Sequence, residues 1–143
     1  MQTVMSGTGI FIPEDQVSND ELVIAFNQYV DNYNSAHAAD IDSGKIAALD
    51  HSSSDFIFKA SGIERRYVLN KSGIIDPDKL APVLAERTNE EISVLAEIGV
   101  KAAEKALDDA SLTADDIDAV IVACSNMQRA YPAMAIEIQK FLG

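Results

Sequence analysis

Apolar residues at Leu22, Val23, Phe26, Tyr29, Val30 and Tyr33 recur every three or four positions, the spacing of one face of an amphipathic helix. Ser18-Asn-Asp-Glu21 stands before them as a capping box, in which the Ser18 hydroxyl accepts from the Glu21 amide while the Glu21 carboxylate reaches back. The same period runs from Ile92 to Ala110 behind a second box, Thr88-Asn-Glu-Glu91. Its face of Leu95, Ile98, Gly99, Ala102, Ala103 and Ala106 is small enough for another backbone to approach closely. Met134, Ile138 and Leu142 define a last helix, after Tyr131-Pro132. Ser52-Ser-Ser-Asp55 caps a short helix over 56–61, which Gly62 ends in the left-handed conformation.

Other stretches lack this period. Ala119 to Ala123 is an unbroken apolar run, which predicts a strand covered on both faces, as in a parallel sheet between helices. Thr3 to Pro13 reads as a strand beside it, and Ile63 to Val68 as a short strand carrying a basic pair. Residues 34–50 read as an insertion, part helix and part loop, with His37 and His51 as surface residues near its ends. Residues 69–87, broken by Gly73, Pro77 and Pro82, read as a loop with at most one helical turn. Thr113-Ala-Asp-Asp116 makes a small turn. No repeat or linker divides the chain, so one α/β domain or part of a larger one is expected, with ligands at the carboxyl end of the Ala119–Ala123 strand.

Composition narrows the function classes. The 23 acidic and 11 basic residues give a formal net charge of -12, which opposes nucleic acid and anionic membrane surfaces as partners. The apolar runs are strand-sized, and the start lacks the features of a signal peptide, so a cytoplasmic protein is expected. One Cys and two widely separated His offer neither an internal disulfide nor a metal-ligand spacing. Gly7-Thr8-Gly9 has the start of a dinucleotide fingerprint, but Ile12 occupies the third glycine position and Pro13-Glu-Asp-Gln16 delays any helix. The two glycines read instead as permitting a bend or close packing.

Gly7-Thr-Gly9 with Pro13, then Ser61-Gly-Ile-Glu-Arg-Arg66, then Val122-Ala-Cys-Ser-Asn-Met-Gln-Arg-Ala-Tyr-Pro132 and Ile138-Gln-Lys-Phe-Leu-Gly143 occur in an order and spacing that resembles one family. The resemblance is to the amino-terminal half of a β-ketoacyl-acyl-carrier-protein synthase III, of the thiolase fold. It covers nearly all of residues 1–143, with the stretches near 34–50 and 69–87 as extra. It implies a mixed sheet covered by helices, incomplete as given, whose catalytic second half is absent and whose complete form is a homodimer.

The resemblance further implies acyl transfer from an acyl-CoA to a cysteine, followed by condensation with malonyl-acyl-carrier-protein in fatty acid biosynthesis. Coenzyme A thioester is then a substrate, and no permanent cofactor is implied. The family's catalytic Cys, His and Asn lie beyond the matched region. No catalytic residue is therefore assigned here, and Cys124 is expected to be a small buried strand residue.

Binding residues do carry over. Phe56 stands where the family has a Trp that stacks on adenine, with core packing as the competing reading. Ala60 replaces a phosphate-contacting Arg, which leaves that charge to Lys59, Arg65 or Arg66. The last of these matches a family Arg as readily structural as ligand-binding. Tyr131 stands where the family has a Phe near the acyl pocket of the neighbouring subunit, and Tyr131 or Met127 could tune acyl length. Alone, the 143 residues are expected to be inactive. A non-catalytic module that binds an acyl carrier or dimerises is the alternative. An acidic carrier is expected to dock mainly on a basic patch outside this chain.

Overall fold

The computed structural model describes residues 3–126 and 128–143. They form two compact units, one over Pro13–Ala85 and one over residues 3–12 with 86–143. Met127, one of the two residues expected to tune acyl length, lies outside the described residues. Among the described residues, no helix is long and apolar enough to cross a membrane.

In the unit over Pro13–Ala85, strand β1 (Asp15–Ser18) leads directly into helix α1 (Asn19–Ala36). The turn between them is the expected capping box: the Ser18 hydroxyl accepts from Glu21 N at 3.1 Å, and Glu21 Oε2 accepts from Ser18 N at 2.9 Å. The donation from Ser18 N, with help from the Lys71 ammonium, holds the Glu21 carboxyl below its usual range. Ala25 and Val30 of α1 are buried. Phe26, on the predicted face, stays 36% exposed at the rim of an apolar hollow.

Helix α2 (Ala38–Asp42) is a short continuation of α1, and α3 (Ser54–Ser61) packs against α1. Ser53 caps α3 by accepting from Phe56 N, and Gly62 ends it at φ 70°, as the sequence predicts. Strand β2 (Arg65–Val68) pairs antiparallel with β1, Val17 opposite Arg66. The 69–87 stretch makes turns and no helix.

In the other unit the longest helix in it, α4 (Val94–Ala110), packs against α5 (Met134–Leu142). Ala96, Val100 and Ile138 form the buried cluster, flanked by Ile92, Val120, Val122, Met134 and Leu142. The small face of α4 works as expected. A Cβ on Gly99 would lie 2.5 Å from Ile138 Cδ1, and one on Gly9 would lie 2.1 Å from the Ala102 carbonyl oxygen. Helix α4 begins at Val94, two residues after the predicted Ile92, and is capped by Ser93, whose hydroxyl accepts from Ala96 N; Thr88 and Glu91 close a separate turn before it. The small turn expected at Thr113–Asp116 forms as a 3-10 turn over Ala114–Asp116, with Asp116 Oδ2 accepting from Thr113 N at 2.9 Å.

Two strand predictions are corrected. Among the described residues, neither Thr3–Pro13 nor Ala119–Ala123 forms a strand; the strand near the amino terminus is β1, four residues with a single apolar side chain. Residues 3–12 instead lie along α4, where Thr8 N donates to Asp109 Oδ2 at 2.9 Å and Lys105 Nζ to Ile10 O at 3.0 Å. The Ala119–Ala123 run is covered on one side only: Val120 and Val122 pack on the buried cluster while Ile121 is 94% exposed. A strand needs a hydrogen-bonded neighbour as well as an apolar sequence, and no ladder forms here among the described residues.

Candidate functional site

Helix α3 carries two of the candidate binding residues. Phe56 and Lys59 are three residues apart and so lie on neighbouring surface of the helix. Phe56 is 66% exposed, which leaves its ring face accessible. Lys59 Nζ sits 2.7 Å from Asp55 Oδ2, with both side chains largely exposed, so a phosphate could displace the pairing at small cost.

Arg66, on β2, is bonded to a buried amide. Its Nη1 donates to Asn19 Oδ1 at 2.9 Å, while Asn19 Nδ2 donates to Ile63 O at 2.7 Å and Asn19 N to Glu64 O at 3.1 Å. Asn19 is buried, so these bonds satisfy an amide that could not be left unpaired. Arg65, beside it, is exposed.

Two hollows adjoin this region. One, of about 340 Å³, is lined by Ser18, Asn19, Asp20, Ser54, Asp55, Phe58 and Glu64, and its three carboxylates disfavour a phosphate. The other, of about 320 Å³, is lined by Leu22, Val23, Phe26, Ser52, Ile57, Ile74 and Leu80 and suits an apolar group. Ile74 and Leu80 come from the 69–87 insertion. The backbone of Ser52 is fixed there by Asn27, which accepts from Ser52 N at 2.8 Å and donates to Ser52 O at 3.1 Å. His51 is exposed beside Asp31, and His37 stacks on Tyr33, so neither is placed as a catalytic base.

The other unit carries Tyr131, 85% exposed on the segment before α5. Cys124 is exposed rather than buried, a correction that follows from the missing strand: with no ladder to enclose it, its Sγ donates to Asn126 O at 2.8 Å.

The segment around Tyr131 is fastened by residues that sequence reasoning missed. Glu137, 4% exposed on α5, accepts through Oε2 from Ser93 N at 3.2 Å and from the Ser93 hydroxyl. Its Oε1 lies 3.2 Å from Arg129 Nη1 without a hydrogen bond, an ionic contact. The Arg129 guanidinium donates to Asn89 O at 3.1 Å and Glu91 O at 3.3 Å, and Gln128 Oε1 accepts from Val94 N at 2.9 Å. On the same helix start, Glu97 is held below its usual pKa by the Lys101 ammonium and then by the Arg87 guanidinium. One signal was available: Glu137 directly precedes Ile138 and follows Met134 by three, an acid set into an apolar stripe.

No protein-family model matches the chain. Over 119 residues, 83% of its length, it is 56% identical to a β-ketodecanoyl-[acyl-carrier-protein] synthase of Pseudomonas aeruginosa, covering 34% of that protein. It is 30% identical over 142 residues to a β-ketoacyl-[acyl-carrier-protein] synthase III of Granulibacter bethesdensis, covering 99% of the chain and 30% of that relative. The chain is a β-ketoacyl-[acyl-carrier-protein] synthase III homologue. It spans about a third of the length of the curated relatives it matches, rather than half.

A solved 3-oxoacyl-[acyl-carrier-protein] synthase III from Aquifex aeolicus VF5 matches 99% of this homologue and 31% of its own chain, at a TM-score of 0.58 and 21% identity. The fold is therefore part of a thiolase-like α/β domain. The strand corrections leave that class intact.

Proposed function

We propose that the protein carrying this chain is an acyltransferase of the β-ketoacyl-acyl-carrier-protein synthase III type, which condenses an acyl-CoA primer with malonyl-acyl-carrier-protein in fatty acid biosynthesis. The 56% identity over 119 residues to a β-ketodecanoyl synthase is the observation that carries this reading. A ketodecanoyl product has ten carbons and condensation with malonyl adds two, so the preferred primer has eight. The protein acts as a homodimer in the cytoplasm.

In this reading the chain supplies binding surface and no catalytic group. Phe56 stacks on adenine, a role its exposure favours over the core, and Lys59 approaches the phosphates. Arg66 contributes mainly by fixing Asn19 and with it the start of α1, which leaves the exposed Arg65 as the more available cation. Tyr131 and Met127 adjust the acyl pocket. Cys124 is not the nucleophile, because its sulfur is engaged with a carbonyl rather than at a helix amino terminus.

Intact-protein mass spectrometry after incubation with octanoyl-CoA tests the assignment. The full-length protein should gain one octanoyl group on a cysteine other than Cys124, and the 143-residue chain should gain none. A stoichiometric adduct on Cys124, or no adduct on a folded full-length protein, would overturn it.

A further inference from the structure

Glu137 and Arg129 are charged residues that the roles assigned above do not use, yet their side chains are 5% and 17% exposed. Burying such a pair seldom stabilises a protein more than apolar residues of the same volume would, so its placement calls for another reason. Its neighbours supply one. Glu137 is oriented by Ser93, itself 2% exposed, while Arg129 grips two carbonyls just before α4 and Gln128 occupies an orphan donor at the helix start. Residues 128 and 129 are thus tied down at several points. Tyr131, two residues on, is 85% exposed and so takes its position from the backbone rather than from packing of its own.

We propose that Glu137 and Arg129 are positioning residues that hold the segment bearing Tyr131 against the start of α4 and so set acyl-chain selectivity. The inference rests on the reading of Tyr131 as an acyl-pocket residue. Loosening the pair moves the ring without emptying the Ala96, Val100 and Ile138 cluster. Glu137→Gln is the informative change, since it keeps the volume and the acceptor for Ser93 while removing the charge that faces Arg129.

Two measurements test the proposal. Trypsin must extract the Arg129 side chain before cutting after it, so its rate follows the fraction released. In Glu137→Gln that cut should accelerate about tenfold or more relative to the cut after exposed Arg65, as expected when a buried ion pair loses one of its charges. Equal acceleration at every site would overturn local positioning in favour of a general fold defect, and an unchanged ratio would show that no tether exists.

The second measurement is the kcat/KM ratio for eight-carbon over four-carbon acyl-CoA in the full-length protein, with Glu137→Gln, Tyr131→Ala and the double variant. Glu137→Gln should shift the ratio by about threefold or more, and should add nothing in the Tyr131→Ala background. A shift of the same size in both backgrounds, or none beside a clear effect of Tyr131→Ala, would overturn the positioning role alone. No effect of Tyr131→Ala would instead overturn the pocket reading and the selectivity claim with it.

Discussion

Gly9→Ala should be among the most damaging single-methyl additions this chain can receive. The new Cβ would lie 2.1 Å from the Ala102 carbonyl oxygen, 2.5 Å from Ala106 N and 3.0 Å from Lys105 C, all backbone atoms of α4 that cannot rotate away. Ordinary contact begins near 3.4 Å, so the segment must retreat from the helix by about 1.3 Å. Retreat strains the bonds from Thr8 to Asp109 and from Lys105 to Ile10 that hold it there. Overpacking of this kind costs about 1–3 kcal/mol, and at ~4 °C per kcal/mol for a chain of this size the melting temperature should fall by roughly 4–12 °C. Gly99→Ala is the control: its Cβ meets only Ile138 Cδ1 at 2.5 Å and Cγ1 at 3.2 Å, side-chain atoms that can shift. Thermal melts of the three proteins by circular dichroism decide the matter. A Gly9→Ala melt within a degree of the parent, or one less affected than Gly99→Ala, would refute the close approach of residues 3–12 to α4.

Phe56→Ala should raise the Michaelis constant for acyl-CoA about 5- to 30-fold, from roughly 1–2 kcal/mol of lost stacking, and leave the melting temperature unchanged because the ring is already exposed; an unchanged constant with a lower melt would assign it to the core. The Lys101 ammonium, and then the Arg87 guanidinium, hold the folded Glu97 carboxyl below the usual glutamate range, so its contribution to stability is present above that range and fades as pH falls through the lowered folded value. Glu97→Gln should therefore be less stable than the parent at pH 7, with the gap in urea midpoint closing as the pH is lowered through the acid range. A constant gap would remove the ion pairs from the account.

Local signals in the sequence are legible where they depend on a few adjacent residues. The Ser18 box, the Gly62 stop and the Thr113 turn each close within four residues, and all three form. Thr88 and Ser93 compete as starts for α4. Ser93 wins where its amide and hydroxyl also meet Glu137, a contact 44 residues away that spacing alone does not reveal. The structure departs from expectation at Thr3–Pro13 and Ala119–Ala123 for the same reason. A helix satisfies its own backbone, but a strand depends on a neighbour, and the short β1 finds one in β2 while Ala119–Ala123 does not. At the candidate site, the sequence leaves the two readings of Phe56 level, and the exposed ring is what supports the proposed stacking. The Arg129 and Glu137 tether was hidden because an acid in an apolar stripe shows its purpose only beside its partners.

The proposed activity is tested most directly by product analysis. Full-length protein supplied with malonyl-acyl-carrier-protein and acyl-CoA donors of two to twelve carbons should release carbon dioxide and form a β-ketoacyl-acyl-carrier-protein, with the ten-carbon product from the eight-carbon donor made fastest. No condensation with any donor by folded protein would contradict the assignment, and a clear preference for the two-carbon donor would contradict the chain-length reading.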